Sequence, residues 1–188
     1  SPEFEFYVFD HVTSVNSNNR AGYTINANEA HWNTGDEQQK HLGLRIPFQG
    51  GYHVMPPLDM LHDLRGRMVE HLKDAGIPVK YHHHEVGGAG QCEIEVGFKP
   101  LRDAGDMTML TKYIIRMTAR HGGRTATFMP KPLTGEAGTG MHFHQLLMRG
   151  KTPVFYDKKG YAGLSRTAQY YIGVLLDHAP ALLAITNQ

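Results

Sequence analysis

The sequence predicts an α+β fold. Several segments alternate apolar and polar residues as half-buried strands do, and three others carry apolar residues at the 3.6-residue spacing of amphipathic helices. The 188 residues show no internal repeat or linker-like stretch and are enough for one domain with a substantial core. With 19 basic and 18 acidic residues and no long apolar run, we expect neither a nucleic-acid nor a membrane partner.

The first predicted strand covers residues 3–10. Period two puts Glu3 and Glu5 on one of its faces and Phe4 and Phe6 on the other. Two carboxylates on one strand face repel each other unless something positive lies between them, as a hard divalent cation would. This face therefore indicates a metal site, and an edge strand that displays charge to solvent is the alternative.

Residues 11–50 are polar and weakly patterned, which predicts a long excursion with short strands. A further strand is predicted over residues 124–129.

Helices are predicted from Pro56-Pro57 to Gly76, over about residues 106–120, and from Gly163 and Ser165 onward. The apolar stripes expected to face a core are Leu61, Leu64, Met68, Val69 and Leu72 in the first helix, Met107, Leu110, Ile114 and Met117 in the second, and Leu164, Ala168, Tyr171, Leu175 and Ala179 in the third.

The densest group of chemically active side chains lies in residues 82–93, His-His-His-Glu-Val-Gly-Gly-Ala-Gly-Gln-Cys-Glu. Glu85 and Glu93 flank glycines that can adopt the positive φ values of a tight turn, so the two carboxylates can converge on one cation. The alternation that follows puts Glu93 and Glu95 on one strand face. A solvated hairpin with incidental histidines is the alternative.

A second glycine-rich stretch, residues 135–140, leads into a predicted strand with His142 and His144 on the same face. Backbone N–H groups in such a loop can bind an anion, phosphate above all. No Gly-Lys-Ser/Thr follows the loop, so it is not a Walker P-loop. Histidines on a strand face are often core or surface residues, and both interpretations stay open for this pair.

The candidate ligands together are four carboxylates and one or two imidazoles. This set favours Mg²⁺ or Mn²⁺ over Zn²⁺, which usually takes more nitrogen or sulfur ligands. Two such cations beside a phosphate-binding loop would suit phosphoryl transfer, because they neutralise the charge on the transferring group.

The order of the motifs resembles the catalytic domain of bacterial type I glutamine synthetase over essentially the whole chain. The matching segments, in family order, are Glu3-x-Glu5-Phe6, Glu29-x-x-Trp32-Asn33, Gly51-Tyr52 through Pro56-Pro57-x-Asp59, His82-His83-His84-Glu85-Val86, Gly90-Gln91-x-Glu93, Lys112-Tyr113-Ile114, residues 125–132, Gly138-Thr139-Gly140-Met141-His142-x-His144 and residues 182–187.

The resemblance implies a curved, mainly antiparallel sheet that forms part of a barrel, with helices packed outside, as in the glutamine synthetase/guanido kinase-like fold. It also implies a ligase that joins ammonia to L-glutamate, with ATP as co-substrate and γ-glutamyl phosphate as intermediate. In this family the active sites form between subunits of a homo-oligomer, here expected to be a dodecamer. A cytoplasmic location is expected, and the single cysteine, Cys92, fits a reducing compartment.

The resemblance assigns roles to individual residues. Glu5, Glu85 and Glu93 would bind one divalent ion, and Glu3 and His142 the other, which orients the ATP phosphates. Glu5, Glu85, Glu93 and His142 are thus the expected catalytic residues. The backbone of Gly138 would contact glutamate, and the residues expected on the nucleotide side are His144, Lys80 and Phe98.

Three positions depart from the family pattern: Leu146 replaces a serine, Ala137 replaces a frequent asparagine, and Lys80 replaces a frequent glutamate. The family's small N-terminal domain and the later part of its catalytic domain have no counterpart in this sequence. We therefore expect residues 1–188 to be the N-terminal portion of a catalytic domain, with little or no activity alone. The alternatives are a ligase for another amine, such as a polyamine, and a non-catalytic relative.

Overall fold

The computed structural model describes residues 1–34 and 43–187, in two compact units, Ser1–Phe143 and His144–Gln188. The α+β prediction is confirmed, and the described strands pair in antiparallel fashion without closing a barrel. No helix in these residues is long and apolar enough to cross a membrane.

The first unit holds β1 (Pro2–Phe9), β2 (His11–Ser17), β3 (Arg20–Asn26), α1 (His62–Asp74), β4 (Val79–His84), β5 (Gln91–Val96), α2 (Leu101–His121), β6 (Thr125–Thr127) and β7 (Met141–Phe143). The second holds β8 (Met148–Arg149), β9 (Thr152–Pro153), α3 (Arg166–Asp177) and α4 (Ala179–Thr186).

Strand β1 is the centre of the main sheet. It pairs with β5 along one edge and with β6 and β7 along the other, and β4 continues the sheet beyond β5. The alternative of a solvent-facing edge strand is therefore wrong. As period two predicts, Phe4 and Phe6 lie in the core with Ile94 of β5, and α1 and α2 contribute Met68 and Ile115 to the same core. The opposite face of β1 carries Glu3 and Glu5.

Helix α1 begins later than the sequence indicates. The prolines at 56 and 57 lie in a series of turns, in which the N–H groups of Leu58 and Asp59 donate to the carbonyl oxygen of Met55 at 3.1 and 3.2 Å. The Asp59 carboxylate then accepts from the N–H of Leu61 at 3.1 Å, just before the helix starts. The predicted end is confirmed, because Gly76 has a φ of +76° two residues past the last helical residue.

Helix α2 begins at Leu101, five residues before the predicted start, and its buried stripe differs from the predicted one. Met107 is buried, but Leu110 is 41 % exposed. Compact threonines occupy the buried face instead, at positions 111 and 118. Thr118 remains hydrogen-bonded there, with its Oγ1 2.9 Å from Nδ1 of His71 on α1. An apolar-only pattern does not detect such a stripe.

The second unit confirms one prediction and contradicts another. Ser165 is the N-cap of α3, and its hydroxyl accepts from the N–H of Ala168 at 3.1 Å. Of the predicted core stripe only Ala168 is buried, and Leu175 is 39 % exposed. A unit of this size has too little interior to bury such a stripe.

Two strand predictions also change. The strand expected over 124–129 shrinks to the three residues of β6, and β7 ends at Phe143, so that His144 follows the strand instead of lying on it. The long excursion contains the β2–β3 hairpin, whose strands are seven residues each. Its later part includes residues 35–42, which lie outside the described residues.

Met68 tests the core. Its side chain is fully buried between α1 and the sheet, so Met68→Ala should lower the free energy of unfolding by about 2–5 kcal/mol. Met109→Ala on α2 is the matched control, because Met109 is 73 % exposed, and should change it by less than about 0.5 kcal/mol. Urea denaturation of the full-length protein measures both. Equal effects of the two substitutions would contradict this packing.

Candidate metal centre

The sheet register brings acidic residues side by side. Glu5 on β1 lies opposite Glu93 on β5, and Glu93 in turn lies opposite His83 on β4. One step along the sheet, Glu3 pairs with His142 on β7. Directly opposed residues of neighbouring strands have Cβ atoms about 5 Å apart, so their side chains meet on one face.

These side chains line a cavity of about 470 Å³. The distances from His83 to Oε1 of Glu85 and to Oε1 of Glu93 are both 3.7 Å, from Nδ1 and Nε2 respectively. Across the cavity, Nδ1 of His142 lies 2.8 Å from Oε2 of Glu3 and 3.8 Å from Oε1 of Glu5. The five residues predicted to bind metal thus meet in one place. The complete lining is Glu3, Glu5, Tyr52, His53, Tyr81, His83, Glu85, Glu93 and His142.

The three consecutive histidines of the 82–93 stretch do not face the same surroundings. Strand alternation turns only His83 towards the cavity. His84 is fully buried, with Nε2 2.8 Å from Oε1 of Glu29 and Nδ1 2.7 Å from the carbonyl oxygen of Glu85. Burial is the largest single influence and lowers the His84 pKa, but the hydrogen bond and charge of Glu29, the hydrogen bond to Glu85 and the charge of Asp59 together outweigh it and raise that pKa. His82 instead accepts a hydrogen bond from Arg65 at 3.3 Å.

The glycines of the turn between β4 and β5 serve two purposes. Gly90 has a φ of +93°, as the turn prediction requires. Gly87 is needed for close approach, because a Cβ there would lie 2.1 Å from the Tyr7 hydroxyl oxygen. The turn closes through a hydrogen bond from the N–H of Glu85 to the carbonyl of Gln91 at 2.9 Å, which returns Glu93 to the side of Glu85.

Four residues of the cavity were not among the predicted site residues: Tyr52, His53, Tyr81 and His83. The ring of His53 stacks on His83 with centroids 4.1 Å apart. The loop reaches this position because the N–H of Gly51 donates to the carbonyl of Val86 at 3.0 Å, where any Cβ at position 51 would clash with Glu85. The Gly50-Gly51 pair was the one local signal of such an approach.

The glycine-rich loop before β7 is held by hydrogen bonds to Tyr7, Pro130 and Glu5. Tyr7 donates its hydroxyl hydrogen to the carbonyl of Ala137 at 2.6 Å. The N–H of Thr139 donates to the carbonyl of Pro130, and that of Gly140 to Oε2 of Glu5, both at 2.8 Å. These two N–H groups are engaged within the protein, so anion binding by the other N–H groups of the loop stays a prediction.

The clustered carboxylates of the cavity favour the binding of a cation. Burial, together with the nearby charges of Glu3, Glu85 and Glu5, raises the pKa of Glu93 to about 8. The hydrogen bond to Glu3 raises the pKa of His142. Among the described residues, no lysine or arginine lines the cavity. An oxygen-rich, acidic donor set with one or two imidazoles fits Mg²⁺ or Mn²⁺.

The residues expected on the nucleotide side are only partly brought together. The Lys80 ammonium pairs with Oε1 of Glu95 and lies 4.9 Å from the centroid of the Phe98 ring. These two residues are neighbours but do not line the cavity. His144 belongs to the second unit, so its nucleotide role remains a prediction. Gly138 lies in the anchored loop, with its carbonyl accepting from Gln91 at 2.9 Å.

Comparison with known proteins assigns the chain to a family. The family model described as "Glutamine synthetase, catalytic domain" matches residues 1–188. The chain belongs to the glutamine synthetase catalytic-domain family. It is 50 % identical over 186 residues to a glutamine synthetase of Streptomyces filamentosus, covering 99 % of this chain and 39 % of that protein.

Other glutamine synthetases agree with this assignment. One of Mycobacterium tuberculosis is 46 % identical over 189 residues, covering 98 % of this chain and 40 % of that protein. The cryo-EM structure of Plasmodium falciparum glutamine synthetase superposes with a TM-score of 0.87 at 28 % identity, covering 97 % of this chain and 36 % of that one. The chain thus spans about two-fifths of the length of the curated relatives it matches.

The raised pKa of Glu93 makes metal binding depend on pH. Because this pKa is about 8, Glu93 carries a proton at neutral pH and a cation must displace it. Mn²⁺ affinity of the full-length protein, measured by isothermal titration calorimetry, should therefore rise from about pH 6 to pH 8, by up to about tenfold per unit. Glu93→Gln should weaken binding and flatten the profile, whereas Glu70→Gln on the exposed side of α1 should change neither. A flat profile for the unsubstituted protein would contradict the assignment.

Proposed function

We propose that the protein to which this chain belongs joins ammonia to L-glutamate, with ATP phosphorylating the glutamate side-chain carboxylate before ammonia displaces phosphate. The observation that carries the proposal is the cavity in which Glu3, Glu5, Glu85, Glu93 and His142 converge. The family match over residues 1–188 supports it.

Two divalent ions, Mg²⁺ or Mn²⁺, would be held by these residues. Glu5, Glu85 and Glu93 would bind one ion, and Glu3 and His142 the other. When bound, such ions neutralise the charge on the ATP phosphates and on the phosphoryl group in transfer. The opposed positions of Glu5 and Glu93 on β1 and β5 support a shared ion between them.

The chain's own residues prepare this site. His142 lies against Glu3 and Glu5 and compensates part of their charge. Glu5, Glu85 and Glu93 are buried, so we expect little reorganisation of these carboxylates when a substrate arrives. The Gly138 backbone would contact glutamate, and Lys80, Phe98 and His144 would lie on the nucleotide side. The engaged N–H groups of Thr139 and Gly140 leave phosphate binding to the metal ions and other groups.

The chain is proposed to be the N-terminal portion of the catalytic domain of a longer protein. Its relatives are more than twice as long as the matched segment, which supports this interpretation. The intact protein is proposed to be a cytoplasmic homo-oligomer, a dodecamer in which a neighbouring subunit completes each active site. A ligase for another amine, such as a polyamine, would use the same metal cavity.

The ligase proposal is tested with full-length protein, ATP, Mn²⁺, glutamate and ammonia, by measuring ammonia-dependent phosphate release. Glu85→Ala removes a carboxylate that lies 3.7 Å from His83 in the cavity, and should reduce kcat by at least about 10²-fold, since metal catalysis supplies several kcal/mol. Glu70→Ala, on an exposed helix face, should retain activity. Activity in the unsubstituted protein only when a polyamine replaces ammonia would redirect the proposal to the amine ligases.

A second expectation concerns residues 1–188 alone. This polypeptide should release phosphate at less than about a hundredth of the rate of the full-length protein, because neighbouring-subunit groups that position the substrates are absent. Mn²⁺ binding measured on the same sample separates the loss of catalysis from the loss of the metal site. Full activity of the short polypeptide would contradict the shared-site proposal.

A further inference from the structure

Gln91, the first residue of β5, has its fully buried side chain at the junction of three parts of the site. Its Oε1 accepts from the N–H of Gly87 at 2.7 Å. Its Nε2 donates to the carbonyl of Gly138 at 2.9 Å and to Oε2 of Glu5 at 3.2 Å. The amide orientation is determined, because the reverse orientation would place its oxygen against two acceptors.

These contacts hold one oxygen of the Glu5 carboxylate in a fixed place. Oε2 accepts two hydrogen bonds, from Gln91 Nε2 and from the N–H of Gly140 at 2.8 Å. Oε1 is the oxygen that faces His142, 3.8 Å from its Nδ1. The two donors therefore engage Oε2 and leave Oε1, on the His142 side, as the oxygen that could bind a cation.

We propose that Gln91 is a positioning residue that orients Glu5 for the divalent cation and couples that carboxylate to the loop at Gly138. The proposal rests on the proposed function, since it concerns the same metal site. Gln91 is not itself a ligand, because both N–H groups and the carbonyl oxygen of its side chain are already hydrogen-bonded and it does not line the cavity. Groups that orient metal ligands in this way typically contribute about 10–100-fold to metal affinity.

Gln91→Met is the decisive substitution, because it keeps the length and approximate volume of the side chain while removing all three hydrogen bonds. Gln49→Met is the matched control. Gln49 also donates its Nε2 hydrogen to the same loop, to the carbonyl of Gly135 at 2.7 Å, but it is exposed and does not touch Glu5. The control therefore separates a general loosening of the loop from the loss of the Glu5 contact.

The measurement is Mn²⁺ binding to full-length protein by isothermal titration calorimetry, with circular dichroism to verify the fold. Gln91→Met should weaken Mn²⁺ binding by about 10–100-fold, and Gln49→Met by less than about twofold. The phosphate release lost in Gln91→Met should recover at saturating Mn²⁺, which a purely structural defect would not allow.

Mn²⁺ affinity of Gln91→Met within twofold of the unsubstituted protein would overturn the proposal, as would lost activity that excess Mn²⁺ does not restore. If Gln91→Met does not give folded protein, Gln91→Asn decides by the same criteria, because it keeps an amide that is one methylene too short to reach Glu5. An unsubstituted protein that binds no Mn²⁺ would overturn the proposed function itself, whereas normal binding in both proteins overturns only the role of Gln91.

Discussion

The antiparallel register of β1 with its neighbours determines where Glu3, Glu5, Glu93 and His142 lie in the cavity. Glu5 is opposite Glu93, and Glu3 is opposite His142, so the acidic residues meet without any long or flexible connection. A shift of this register by one residue would turn the carboxylates towards the hydrophobic core and the phenylalanines towards the cavity. The core beneath β1 thus enforces the arrangement above it, because Phe4 must remain buried.

The register alone does not fix the side chains, and buried hydrogen bonds complete the arrangement. Gln91 and the N–H of Gly140 hold Glu5, while the His84–Glu29 pair secures the start of the β4–β5 turn from the opposite face. These groups lie on the loops and strand ends that surround the cavity. The strands therefore determine approximately where each carboxylate lies, and the buried hydrogen bonds determine how its side chain is oriented.

The sequence predicts well what depends on local periodicity. Alternation correctly assigned the faces of β1 and β5, and the capping signals correctly identified Ser165 and Gly76. Sequence patterns do not predict contacts between residues that are distant in the chain. The buried threonines of α2 look polar in a linear pattern, and His53 reaches His83 from thirty residues upstream through a loop with no periodic signal. The second unit shows the same limit, since an amphipathic stripe does not by itself reveal that nothing within that unit covers it.

Electrostatic repulsion among the carboxylates of the cavity opposes folding, and the neighbouring side chains compensate only part of it. Lys80 is already paired with Glu95, and the described residues of the lining include three histidines, His53, His83 and His142, but no lysine or arginine. A sheet selected for stability alone would replace some of these glutamates with apolar or neutral residues, because buried like charges oppose folding. Their presence at four positions that converge on one cavity is instead what a cation-binding site requires. A divalent ion bound by these carboxylates would relieve their mutual repulsion, and this relief would contribute to the affinity of the proposed site.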